Sequence, residues 1–193
     1  MPSAECRVPI LLSVILALTH PVLLPAQVVD SIFPPEVELA RFRATVPGTA
    51  PVALDGPTSR AELVRRFVKA VETNDSLALN RLLISKAEFA YRYFPTSEYS
   101  RPPYRQKPGL VWFRMTETSQ KGIGRVVARD GGKPLASTGH RCPSPPKAEA
   151  KNQIWRDCRL IVRRNNQTTE RRLFGSILER NGHYKFLTYA SDY

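Results

Sequence analysis

Cys142 and Cys158 are the thiols within the body of this 193-residue chain, and two chemistries are open to them. As thiolates, with His140 two residues before Cys142, they could begin a zinc site. Oxidised, they would form one disulfide. His20 and His183 lie far away in sequence, and no further histidine or cysteine stands at ligand spacing. The disulfide is therefore the expectation; no metal is, and no motif implies a cofactor.

Two other side chains could move a proton. Asp157 sits between Arg156 and, two places on, Arg159, and reads as a surface ion pair before it reads as a base. His183 follows a turn, where an imidazole is usually solvated despite its suitable intrinsic pKa. Both stand as functional candidates, and no catalytic residue is assigned. Gly122-Ile-Gly124 lacks the third glycine and the preceding strand of a phosphate loop, and more simply allows close helix packing. Gly175-Ser176 lacks the following glycine and the strand-to-helix turn of a serine nucleophile. Tyr91, Tyr93, Phe94, Tyr99 and Tyr104 are interleaved with Arg92, Arg101 and Arg105. That mixture could stack on bases or sugars or hold an anion, although packing of a loop onto the core needs the same residues.

A disulfide needs an oxidising compartment, and the start of the chain points to one. Arg7 precedes an apolar run, Val8 to Leu18, of signal-peptide length. A membrane span would need roughly 20 apolar residues. Cleavage after Ala26 is expected to release an exported protein, periplasmic or secreted; an uncleaved leader acting as a membrane anchor is the alternative. Cys6 precedes the apolar run, so it is not a lipoprotein cysteine. The formal net charge of +12 is spread along the chain, with Arg65, Arg66, Arg163, Arg164, Arg171 and Arg172 among its carriers. A diffuse positive field serves solubility, and it also attracts an anionic cell-envelope polymer. Nucleic acid is disfavoured as a partner.

The elements that must position these residues divide the chain into a leader (1–26), a Pro-rich arm (27–58) and a domain (59–193). The arm has room for one short helix, Glu36 to Arg43. Ser59-Arg-Ala-Glu62 has the spacing of a capping box, after which Leu63, Val64, Phe67, Val68 and Val71 recur at helical spacing. Asp75 caps a second helix, and Ser85-Lys-Ala-Glu88 opens a third that runs to Phe94. A further helix runs from Leu110 to Asp130. The period then changes to alternation, with strands expected over Leu135 to Cys142, Ile154 to Arg164, Thr168 to Arg180 and Tyr184 to Ala190. Asn165-Asn166 and Asn181-Gly182 suit tight hairpin turns. The disulfide would clip the first hairpin beside Pro143 to Pro146. Leu173 and Ile177 alternate with Phe174 and Leu178, so this sheet is apolar on both faces. Helices can cover one face; the arm or the partner in a homodimer could cover the other.

Helices first and long antiparallel strands afterwards is the order of an α+β roll. The chain resembles the NTF2-like superfamily, also called SnoaL-like or cystatin-like, in Leu63-Val-x-x-Phe67-Val-x-Ala70-Val-x-x-x-Asp75 followed by Ala78-Leu79-x-x-Leu82. The resemblance covers about residues 59–193. It implies N-terminal helices packed on a curved four-stranded antiparallel sheet, the first helix lining a conical cavity. Leu63, Phe67, Val71, Tyr91 and Trp112 would then line that pocket. The family includes isomerases, dehydratases and cyclases as well as non-catalytic binding and assembly domains, and fold alone does not choose among them. The expectation is an exported non-catalytic binding or assembly module, with a small apolar ligand as a possible guest. A small acid–base enzyme of the same fold and a binder of anionic polymer are the alternatives.

Overall fold

The computed structural model describes residues 33–189. The expected leader, its cleavage site, the first residues of the arm and the end of the last strand at Ala190 lie outside them.

Helix α1 (Pro35–Ala44) forms where the arm was expected to hold one, and carries Glu36 and Glu38 in its first turn and Arg41 and Arg43 in its last. That order complements the helix dipole with favourable charge at both ends. In α2 (Arg60–Glu72) the Ser59 hydroxyl accepts from the Glu62 amide at 3.1 Å, and Leu63, Val64, Phe67, Ala70 and Val71 are buried. Only half of the expected capping box forms, because the Glu62 carboxylate turns to Arg65 and Arg66 instead of back to the cap. Asp75 caps α3 (Ser76–Arg81) by accepting from the Ala78 amide at 2.8 Å. A complete capping box opens α4 (Lys86–Glu88), where Ser85 and Glu88 satisfy each other's amides. The expected helix to Phe94 does not stay α-helical: it widens to a π turn at Phe89–Tyr93, then tightens into 3-10 turns at Phe94–Thr96 and Glu98–Ser100. Helix α5 (Pro108–Asp130) begins two residues before the expected start, with proline in its first turn.

Among the described residues seven short strands replace the four long ones expected: β1 (Ser137–Arg141), β2 (Lys147–Glu149), β3 (Asn152–Trp155), β4 (Arg159–Arg164), β5 (Gln167–Arg171), β6 (Ile177–Arg180) and β7 (His183–Phe186). They form two antiparallel sheets, ordered β1-β4-β5 and β2-β3-β6-β7. The class is α+β, and neither sheet closes into a barrel.

One broken hairpin is shared between the sheets. Its tip is Asn165-Asn166, both at positive φ (48° and 61°), as a tight hairpin turn requires. Next to the tip β4 pairs with β5, from Arg164 with Gln167 to Leu160 with Arg171. Farther along, β3 pairs with β6, from Trp155 with Ile177 to Asn152 with Arg180. Between these ladders residues 156–159 face 172–176, one residue more on the returning arm, so the register slips and pairing stops as at a bulge. Asp157, at φ 53°, takes part in the break.

The disulfide stands at this junction. Cys142 and Cys158 are bonded immediately past the Arg141–Arg159 pair of β1 and β4. The connection that it closes is more than a turn, since it contains the β2–β3 hairpin of the other sheet. Closing a loop of about 15 residues contributes on the order of 3 kcal/mol in the chain-entropy view.

Both faces of the strand after β5 are covered from within the chain. Ile177 joins a core with Leu63, Phe67, Val71, Phe174, Phe186 and Tyr189. Leu178 joins a second with Leu54, Ile84, Phe89, Phe94, Val111 and Leu187, against which Leu39 and Phe42 of the arm's helix also pack. The arm's helix thus packs on that face from within the chain. At Gly122 the Tyr189 backbone approaches so closely that its carbonyl occupies the space of a Cβ, whereas Gly124 faces open space. Of the two glycines, only Gly122 therefore serves close packing, and it does so against the segment after β7.

Candidate functional site

The interior beneath α2 is filled. Phe67 meets Phe174 edge-on at 5.2 Å between ring centroids and Phe186 at 5.8 Å, with Tyr189 tilted against it at 5.7 Å. Phe174 and Phe186 are 4.9 Å apart, and the Tyr189 hydroxyl donates to the Leu79 carbonyl at 2.8 Å. Leu63 and Val71 are fully buried beside this cluster. These residues act as core, because four rings and their neighbours occupy the space that a cavity would need.

The remaining candidates are not brought together. Tyr91 is half-buried under the Arg43 guanidinium, 4.7 Å from its ring centroid. Asp157 is exposed and pairs with neither neighbouring arginine; Arg156 instead donates to Glu98 at 2.7 Å, because the left-handed turn at Asp157 breaks the strand there. His183 is not freely solvated: its Nδ1 lies 3.0 Å from the Gly56 carbonyl, and the next amide, Tyr184, donates to Pro57 at 2.9 Å. It anchors the arm to β7. Trp112 packs on Phe89 at 5.2 Å and faces a surface groove.

That groove has a volume of about 230 Å³ and lies between α5 and the segment from α3 to α4. Trp112, Met115, Leu83, Ile84 and Leu187 give it an apolar wall. Its rim is polar but already engaged: Gln120 donates to Asn80 at 2.7 Å, and the Lys86 ammonium donates to the Thr45 carbonyl at 3.2 Å. Apolar walls with a few tied polar groups offer contact surface to a small apolar guest.

The polar interior was not visible in the sequence. Glu88 accepts from the Asp55 amide at 2.5 Å as well as from Ser85 at 2.7 Å, pinning the arm. Lys185, 4% exposed, donates to the Arg81 carbonyl at 2.7 Å; burial lowers its pKa, while Glu88 and Asp55 oppose that shift. Asn152 donates to the Arg92 carbonyl at 3.0 Å and accepts from Arg180 at 2.9 Å. Glu149 is buried against Lys147 at 3.4 Å, with its other oxygen unpartnered among the described residues. Burial, and then the Glu149 charge, raise the Tyr93 phenol well above its ordinary range. A single signal could have found one of these, the capping-box spacing of Glu88. Lys185 and Asn152 carry side chains typical of a surface, yet both are buried, Asn152 on the same face of β3 as Ile154.

His140 is half-buried, and burial together with the nearby Arg60 charge lowers its pKa. Arg60 lies over the Trp155 ring at 3.7 Å. With both thiols in the disulfide, His140 has no thiolate partner for a metal, and among the described residues no three histidine, cysteine, aspartate or glutamate side chains gather as ligands would. Among the same residues no helix is long and apolar enough to cross a membrane. No family model, curated protein or solved structure matches this chain.

Proposed function

We propose that this chain is an exported, non-catalytic binding or assembly module with an NTF2-like roll, and that a small apolar ligand would sit beside Trp112 instead of inside the roll. The observation that carries this reading is the ring cluster of Phe67, Phe174, Phe186 and Tyr189, which fills the space where an enzyme of that fold would need its pocket. A disulfide at the sheet junction is compatible with export. The order of helices, bent hairpin and last strand supports the roll, the two sheets being read as one strongly curved surface interrupted at its bend.

Native mass spectrometry of the full chain, purified from an oxidising compartment without reduction, tests the reading. A species shortened at its start, with the disulfide intact and either a retained ligand or a second subunit, is expected. Free thiols, or a bare monomer that also fails to bind 1-octanol, would overturn it. Mapping 1-octanol by NMR separates the two places: shifts centred on Trp112 and Met115 support the groove, and shifts centred on Phe67 return the site to the interior.

A further inference from the structure

A second groove, on the opposite side of α3 from the Trp112 groove, has a different chemistry. It lies between the second half of α2 and α3, with a volume of about 270 Å³. Ala70, Ala78 and Leu82 supply apolar surface, and Arg66, Lys69 and Arg81 stand around it. One carboxylate, Asp75, also lines it, and Asp75 already accepts from the Ala78 amide as the cap of α3. Arg66 directs its Nε to Glu62 at 2.7 Å. Lys69 and Arg81 make no side-chain hydrogen bond or ion pair among the described residues.

We infer that this groove binds a small amphipathic anion, one carboxylate or phosphate on a short apolar body. Two cations lining one groove with apolar surface between them focus a positive field where an anionic group would lie. Both can donate charge-assisted hydrogen bonds to it, and the long stems of Lys69 and Arg81 add apolar contact beside the floor. The alanines matter as much as the charges: two small side chains on adjacent helices leave the hollow in which a short alkyl body can lie. The net charge of the chain alone would draw any polyanion to any face. This groove adds a place where charge and apolar surface meet.

The site rests on the reading of the chain as a binding module only for its biological sense, and its test is separate. Octanoate is titrated into the oxidised full chain by NMR, and saturable shifts at Ala70, Ala78 and Leu82 are expected. Lys69→Gln/Arg81→Gln should weaken binding by at least about tenfold, the scale of losing charge-assisted hydrogen bonds. Lys69→Arg/Arg81→Lys should retain it, which separates loss of charge from loss of fold. Lys151→Gln/Arg163→Gln removes the same charge elsewhere and should change binding little. Acetate should bind far more weakly than octanoate. Equal weakening in both Gln pairs would reduce the effect to net charge and overturn the site. So would no octanoate binding, or retention on anionic phospholipid vesicles without octanoate binding, which would make the face a lipid-surface contact. Failure here leaves the 1-octanol result beside Trp112 untouched, so the two proposals fall separately.

Discussion

Arg171 grips both carboxylate oxygens of Asp130, at 2.7 and 3.2 Å, and so joins the end of β5 to the end of α5. A carboxylate at a helix C-terminus opposes the dipole, and the guanidinium removes that conflict. Both groups are largely shielded, with side-chain exposures of 22% for Arg171 and 10% for Asp130. Arg171→Leu should therefore leave a shielded carboxylate without this partner and lower stability by about 1–3 kcal/mol. Urea unfolding measures it; a midpoint equal to that of the native chain would show the pair to be neutral.

Reduction should act at the sheet junction. Cys142→Ala/Cys158→Ala, or the native chain under reductant, should lose on the order of 3 kcal/mol. The two should agree, because both remove the same cross-link. A reduced chain as stable as the oxidised one would mean that the β1–β4 ladder holds the junction unaided.

Phe67→Ala should remove the ring at the centre of the aromatic cluster and cost about 3–5 kcal/mol. The void should bind benzene, read as a rise in Tm with added benzene that the native chain does not show. A native chain stabilised equally by benzene would reveal an interior cavity that the packed rings exclude.

Acid should loosen the Glu98 tie. The Lys147 ammonium at 2.6 Å holds the Glu98 carboxyl below its ordinary value, with Arg156 adding to it and burial opposing both. A carboxyl whose pKa is lowered by folding contributes stability that is present above its unfolded value and lost as pH falls through its folded one. Stability should accordingly fall below the ordinary value of 4.5, and Glu98→Gln should flatten that decline. Thermal unfolding at about pH 6 and about pH 3.5 makes the comparison; identical declines in both chains would assign the acid limb to other carboxylates.

Local signals carried most of what could be read from the sequence. The serine caps at Ser59 and Ser85 and the Asp75 cap each mark a helix start, because a cap depends on residues only three apart. The Asn-rich turn at Asn165-Asn166 marks the hairpin tip for the same reason. The strand breaks were not legible: residues 156–159 and 172–176 hold no proline to signal a stop, and only the register slip between the facing segments ends the pairing. The candidate pocket fared likewise. Leu63, Phe67 and Val71 show an inward stripe, yet whether that stripe lines a void or fills it depends on Phe174, Phe186 and Tyr189, more than a hundred residues later. The surface grooves join residues of separate helices, and no spacing within one helix announces them.

Gly122 also has a consequence for ancestry. With the Tyr189 carbonyl standing where a side chain would begin, even alanine would push α5 off the segment that follows β7. Drift at that position is barred for as long as the two segments touch, while Gly124, two residues along, is free to change. A distant cousin whose other positions have all diverged should still carry glycine here and a buried aromatic residue at the position of Tyr189. That pair offers a marker of common descent which overall similarity would miss.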